Sequence, residues 1–176
     1  MFKDIQLSKE ITIEYKNILK SNSLEIPFEL NVAILTSTFW PMTLNNNLTC
    51  IYPQQIENVK KSFESFYLSK YNGRQLLWQG NMGNSDLKIF LKSNTYEINV
   101  STYSMMILLL FNNVKEGEFL SYKDIQVATS IPNEELARNL ESLICEKYKI
   151  LIKYPNSKNI EISDKFLFNQ NQKTGT

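Results

Sequence analysis

The sequence predicts an α+β fold in which a small α/β sheet layer is followed by short helices and two closing strands. Hydrophobic residues make up 43% of the 176 residues, which is typical of a globular chain and not of a disordered one. Apolar residues recur at helical spacing in some segments and alternate in others. The spacing changes from helical to alternating at Gly73 and back after Ser101, so helices and strands occupy separate stretches.

The first predicted element is a helix over residues 8–20, with Ser8 as its N-cap. Its apolar face contains Ile11, Tyr15, Ile18 and Leu19. Because one helix cannot bury such a stripe alone, we expect it to pack on the rest of the chain or to be the end of a larger bundle. A strand is predicted over 30–36, where Leu30, Val32 and Ile34 alternate with their neighbours.

A second helix is predicted from Pro53 to the Asn72-Gly73 turn, where Gly73 takes a left-handed conformation and Arg74 ties the helix to the sheet. Its apolar side contains Ile56, Val59, Phe63, Phe66 and Tyr67. Three strands follow, over residues 75–79, 87–92 and 96–101, and the last two form a hairpin through Ser93-Asn94. Together with 30–36 they predict a four-stranded sheet with an open edge.

The remaining residues predict three helices and two strands. A buried helix over 103–112 is followed by one that Ser121 caps, with Asp124 in capping-box position. The third helix covers 133–148 and places Leu136, Leu140, Leu143 and Ile144 on one face. Strands over 150–154 and 165–169 enclose the polar loop 155–164. This order is typical of a winged-helix domain, whose last helix usually reads DNA.

The charge of that last helix favours protein binding over DNA binding. Between residues 133 and 148 four Glu stand against Arg138 and Lys147, so phosphates would repel the segment. The chain as a whole has 19 Lys plus Arg and 18 Asp plus Glu, which indicates no attraction to nucleic acid or to an anionic membrane. A winged-helix nucleic-acid-binding module remains the alternative function.

The composition argues against catalysis, because the chain has no histidine and no Gly-rich phosphate loop. We therefore predict no catalytic, cofactor-binding or metal-binding residue. The two cysteines, Cys50 and Cys145, are expected to be buried and unpaired, as in a reducing compartment. The longest apolar run, residues 105–111, is too short to span a membrane, so the sequence predicts a cytoplasmic or nuclear protein.

Six blocks carry a family resemblance over nearly the whole length: MFKDIQLSKEI at the start, ILTSTFWP at 34–41, FYLSKYNGRQLLWQ at 66–79, VSTYSMMILLLFN at 100–112, LARNLESLICEK at 136–147 and PNSKNIEISDKFLFN at 155–169. In this order they resemble the C-terminal region of the cullins, the scaffold subunits of RING-type ubiquitin ligases. Trp78-Gln79 and the MFKDI and DKF blocks are most similar to the fourth cullin subfamily. The chain departs from the family at Thr38-Phe39, where Gly-Tyr is usual, and at Tyr71, where His is usual.

The resemblance implies three parts: the last helix of a truncated helical bundle (1–27), an α/β domain (28–101) and the first winged helix (102–176). It implies a non-catalytic scaffold whose sheet takes in a strand of a RING-box protein. Zinc and the recruitment of the ubiquitin-charged conjugating enzyme belong to that partner. The adaptor-binding repeats and the modifier-acceptor winged helix are expected to lie outside this chain. The residues expected at the contact are Leu30, Val32, Ile34, Leu87, Ile89, Ile98 and Val100.

Overall fold

The structure is a computed structural model that describes residues 2–37, 50–92, 94–145 and 149–171. Its helices are α1 (Phe2–Ser21), α2 (Gln54–Lys70), α3 (Thr102–Leu110), α4 (Tyr122–Thr129) and α5 (Asn133–Ile144). Its strands are β1 (Asn84–Phe90), β2 (Thr95–Ser101), β3 (Phe119–Ser121), β4 (Leu151–Tyr154) and β5 (Lys165–Phe168). This mixture of helices and two small antiparallel sheets confirms the predicted α+β class.

The described residues form two compact units. The first contains residues 2–37 and Gln54–Leu77, and the second contains residues 50–53 and 78–171. The predicted boundaries at 1–27, 28–101 and 102–176 stay a prediction.

In the first unit, aromatic side chains pack α1 against α2. The ring of Tyr15 lies 5.2 Å from that of Phe63 and 5.4 Å from that of Phe66. The Tyr15 hydroxyl donates to Ser62 Oγ at 2.9 Å. Because Tyr15 and Phe63 are almost fully buried, this aromatic cluster forms the core of the unit.

Helix α1 begins earlier than predicted, which makes the assignment of Ser8 as an N-cap wrong. Ser8 lies inside the helix and its hydroxyl donates to the carbonyl oxygen of Asp4 at 2.6 Å. Ser8 is 5% exposed because the segment 30–36 covers it. Ile18, expected on the buried face, is 38% exposed, whereas its neighbour Leu19 is buried.

Two of the four predicted strands do not pair with another strand among the described residues. The segment 30–36 is extended but bonds to side chains of α1, and 75–79 lies between two turns without a strand partner in the described part of the chain. Alternating apolar residues reveal which side of a segment is buried, but not what lies beside its backbone. The four-stranded sheet is therefore wrong for the described residues, where only the predicted hairpin, β1 with β2, is present in this region.

The second unit contains that hairpin, which leads directly into α3, and α3 is buried nearly throughout, as predicted. Helices α4 and α5 and the antiparallel sheet β3-β5-β4 complete a winged-helix arrangement. The core residues that these elements share are Ile125, Leu136, Leu140, Leu143 and Phe166. Strand β3 is missing from the sequence prediction because three residues are too few to show alternation.

The environment of the cysteines differs from the prediction. Cys145 is exposed, and Cys50 is only partly buried. Helix α5 ends at Ile144, so Cys145 follows the last turn and does not continue the apolar stripe of that helix. The predicted end of this helix at 146–148 lies outside the described residues, as do Ser93 and the departures at Thr38 and Phe39.

Candidate partner-binding edges

In the first unit, the extended segment 30–36 runs beside α1 and is held by polar side chains. Thr36 N donates to Asp4 Oδ2 at 3.1 Å. Ile34 N donates to Ser8 Oγ at 2.8 Å, and the Ser8 hydroxyl also lies 3.1 Å from the Ile34 carbonyl oxygen. Thr12 Oγ1 makes the equivalent pair of contacts with Val32 at 3.3 and 3.4 Å. The N–H groups of Val32, Ile34 and Thr36 therefore all donate to side chains of one helix.

The backbone groups on the other edge of this segment are not held by α1. In an extended chain, the backbone groups of successive residues point to opposite edges. Those of Asn31, Ala33 and Leu35 consequently point away from α1, and their N–H and C=O groups have no hydrogen-bond partner among the described residues. Unpaired backbone groups in a row are what an added strand pairs with.

In the second unit, the hairpin also leaves its outer edges unpaired. Leu91 N donates to the Asn94 carbonyl oxygen and Thr102 N donates to that of Gly83, so the odd-numbered residues of β1 face β2. The even-numbered residues, such as Lys88 and Phe90, direct their backbone groups outward. Phe90 is 71% exposed. In the described part of the chain, no third strand pairs with this hairpin.

Three of the predicted contact residues lie in the first unit and four lie in the second. Leu30, Val32 and Ile34 form one half-buried row in the first unit. In the second unit Leu87 lies directly opposite Ile98 in the hairpin. Val100 lies opposite Ser85 and is half-buried, and Ile89 is the most buried of the predicted set at 8% exposed.

Three residues of this region were missed in the sequence prediction. Ser8 is predicted only as an N-cap and no role is predicted for Asp4 or Thr12, yet all three hold the segment 30–36. Their spacing of four residues was the available signal, since it places short polar side chains in one row along a helix.

The turn after α2 has a structural role. Gly73 has the predicted positive φ, at +80°, in a turn closed by Arg74 N donating to the Tyr71 carbonyl oxygen. Arg74 Nη1 donates to the Tyr67 hydroxyl at 2.8 Å, and its guanidinium carbon lies 4.4 Å from the centroid of the Tyr71 ring. The hydrogen bond with Tyr67 raises the pKa of Arg74. These contacts occupy Arg74 within its own unit.

The winged helix presents no basic surface on α5. Arg138, the single cation of this helix, lies 3.5 Å from Glu134 and 3.1 Å from Glu135, so its charge is compensated. The described residues also contain no group of three His, Cys, Asp or Glu side chains placed to hold a metal ion. None of the helices in the described ranges is both long and apolar enough to span a membrane.

Comparison with known proteins identifies relatives over nearly the whole chain. A family model described as the cullin alpha+beta domain matches residues 34–172. Cullin-3 of Schizosaccharomyces pombe is 43% identical over 172 residues, which are 97% of this chain and 22% of that protein. Human cullin-4A is 40% identical over 169 residues, which are 96% of this chain and 22% of that protein. Cullin-3 of Dictyostelium discoideum is 41% identical over 151 residues, which are 86% of this chain and 19% of that protein.

The chain thus spans about a fifth of the length of the curated relatives it matches. Relatives named cullin-3 and cullin-4A have similar identities to it, so the assignment to the fourth subfamily stays a prediction.

Proposed function

The chain belongs to the cullin family, and from this membership we propose that it is a non-catalytic scaffold segment of a cullin-RING ubiquitin ligase. Its role in this proposal is to bind the RING-box subunit by strand addition and so to support ubiquitin-dependent protein degradation. No side chain of this chain takes part in the chemistry. Zinc and the contact with the conjugating enzyme belong to the partner.

The observation that carries the proposal is the pair of unpaired backbone edges, one in each unit. The edge at Asn31, Ala33 and Leu35 and the outer edge of β1 both present N–H and C=O groups in an extended row. A partner's extended segment satisfies such groups by main-chain hydrogen bonds, and pockets for alternate side chains supply the specificity. Five of the seven predicted contact residues alternate with the residues of these edges, Leu30, Val32 and Ile34 in the first unit and Leu87 and Ile89 in β1, while Ile98 and Val100 lie on β2.

The mechanism is positional. A RING subunit bound to this chain keeps the charged conjugating enzyme close to a bound substrate, which raises the effective concentration of the reacting groups. This scaffold function needs no side chain whose pKa lies near neutral pH. It is consistent with a chain that contains no histidine.

The proposal is tested by co-expressing this chain with a RING-box protein and analysing the mixture by size-exclusion chromatography and a ubiquitin-discharge assay. We expect a stable complex that discharges the conjugating enzyme. Ile98→Asp should abolish it, because a carboxylate would replace a half-buried side chain opposite Leu87. Ile162→Asp is the matched control. Ile162 is 72% exposed in the wing loop, which is the loop 155–164 between β4 and β5, so this substitution should leave binding unchanged.

Circular dichroism of both variants separates lost binding from lost folding. Absence of a complex with the unsubstituted chain would overturn the scaffold proposal. Salt-sensitive binding to duplex DNA in that case would favour the winged-helix nucleic-acid-binding module instead.

A further inference from the structure

The contacts between α1 and the segment 30–36 follow a regular spacing. Asp4, Ser8 and Thr12 are four residues apart, and their partners Thr36, Ile34 and Val32 are two residues apart in the opposite direction. A helix rises about 6 Å over four residues, at about 1.5 Å each. An extended chain advances about 6.6 Å over two. The two repeats match closely enough for each helical turn to serve one alternate residue of the segment.

A hydroxyl group can replace a neighbouring strand residue in such an arrangement. In an antiparallel sheet, a hydrogen-bonded residue pair exchanges two bonds, one from each N–H. A Ser or Thr hydroxyl has one donor and two acceptor lone pairs, so a single oxygen can contact both the N–H and the C=O of one residue. Thr12 Oγ1 does this with Val32. Ser8 Oγ accepts from Ile34 N at 2.8 Å, whereas its one proton donates to the Asp4 carbonyl oxygen at 2.6 Å, so the Ile34 carbonyl oxygen at 3.1 Å is a contact without a proton of its own.

The row of α1 side chains that contact the segment continues at Lys16, one helical turn after Thr12. Lys16 Nζ donates to Glu29 Oε1 at 2.9 Å and to Asn31 Oδ1 at 3.0 Å. This contact secures the start of the segment, so α1 holds it over its whole described length.

We propose that Asp4, Ser8 and Thr12 are positioning residues for strand addition. They occupy one backbone edge of the segment 30–36 and hold it extended, so that a partner strand pairs only along the edge of Asn31, Ala33 and Leu35. The inference rests on the proposed function, because it names the residues that prepare the acceptor edge for the RING-box strand. It adds a role for α1, which shapes the acceptor without touching the partner.

Hydrogen exchange of the free chain tests the first part of this inference without any partner. The amides of Val32, Ile34 and Thr36 should exchange at least about tenfold more slowly than those of Ala33 and Leu35, because only the former donate to α1. Thr12→Val, which keeps the side-chain shape but removes the hydroxyl, should accelerate exchange at Val32. Thr12→Ser should restore slow exchange. Equal exchange rates at odd and even positions would overturn the inference.

Binding of a purified RING-box protein tests the second part. The double variant Ser8→Ala, Thr12→Val should bind roughly tenfold more weakly, since the acceptor edge then loses its fixed conformation. Ser8→Thr with Thr12→Ser should bind as the unsubstituted chain does. Ser65→Ala is the matched control, because the Ser65 hydroxyl also donates to a backbone carbonyl but only within α2.

The variant Ala33→Pro tests whether the partner strand pairs along the edge of Asn31, Ala33 and Leu35. It removes an N–H that has no partner among the described residues and leaves the α1 contacts intact, so the free chain should fold normally and bind poorly. If the complex forms with unchanged affinity in Ala33→Pro, the assigned edge is wrong although the scaffold function stands. If the unsubstituted chain forms no complex, the proposed function fails, and the exchange experiment still decides the role of α1.

Discussion

At the scale of single residues, the wing loop depends on one buried ion pair. Lys153 Nζ lies 3.2 Å from Asp164 Oδ2, and the two side chains are 3% and 1% exposed. Lys153 also donates to the Pro155 carbonyl oxygen at 2.8 Å, while Asp164 Oδ2 accepts from Glu161 N at 2.8 Å. The pair therefore joins the two ends of the loop, and removing one partner leaves a buried charge without compensation.

We expect Asp164→Ala to lower the free energy of unfolding by about 3–5 kcal/mol, because Lys153 would remain buried and unpaired. The double substitution Lys153→Met, Asp164→Leu should recover most of this loss, since it removes both charges. Urea unfolding followed by circular dichroism measures both effects.

The control for this experiment is the exposed pair of Lys88 and Glu97, whose side chains are 55% and 78% exposed. Lys88→Ala should change the free energy of unfolding by less than about 1 kcal/mol. An Asp164→Ala cost as small as that of Lys88→Ala would show that the buried pair does not hold the loop.

At the scale of elements, α4 illustrates how a helix start is specified locally. Ser121 Oγ accepts from Asp124 N, and Asp124 Oδ2 accepts from Ser121 N, each at 3.0 Å. This is the capping box that the sequence predicts. Hydrogen bonds from the side chain and the backbone of Ser121 lower the pKa of Asp124. The ionised carboxylate thus stabilises the folded state.

The pH dependence follows from the direction of this pKa shift. Since the pKa of Asp124 is lower in the folded chain than in the unfolded one, its contribution is complete above the unfolded value of about 4 and is lost as the pH falls through the folded value. The stability difference between the chain and Asp124→Asn should therefore be constant near neutrality and shrink below about pH 4. Urea titrations across this range measure it, and a difference that does not vary with pH would contradict the assignment.

The serine of the same box offers a second measurement at neutral pH. Ser121→Ala should cost about 1 kcal/mol of unfolding free energy, because Asp124 N loses its acceptor at the first turn of α4. Ser69→Ala provides the comparison, since the Ser69 hydroxyl donates to the Phe66 carbonyl oxygen near the exposed end of α2.

At the scale of the whole molecule, each unit has a backbone edge that strand addition would satisfy. A ligand that binds only the folded state stabilises it by an amount set by its concentration relative to Kd, about 2.7 kcal/mol at a hundredfold excess over Kd. The melting temperature of the chain should accordingly rise with added RING-box protein. The melting temperature of the Ile98→Asp variant should not change when RING-box protein is added. A melting temperature independent of the RING-box concentration would argue against binding to the folded chain.

Helices α2 to α5 and the β1–β2 hairpin could be predicted from sequence because their determinants are local. Helical spacing in α5, the Ser121 cap and the two alternating runs around Ser93-Asn94 each lie within a short stretch. The six family blocks added the cullin assignment, which the matched family domain over residues 34–172 confirms.

Only the tertiary structure decided what lies beside the backbone of each extended segment. Alternation in 30–36 predicts an extended chain correctly, but Ser8 is 26 residues away from Ile34 in sequence, and no local pattern identifies a hydroxyl as its partner. The same holds for the exposure of Cys145 and for the Lys153–Asp164 pair. The period of the apolar residues indicates which side of a segment is buried. The hydrogen-bond partners of its backbone depend on which distant element packs beside that segment.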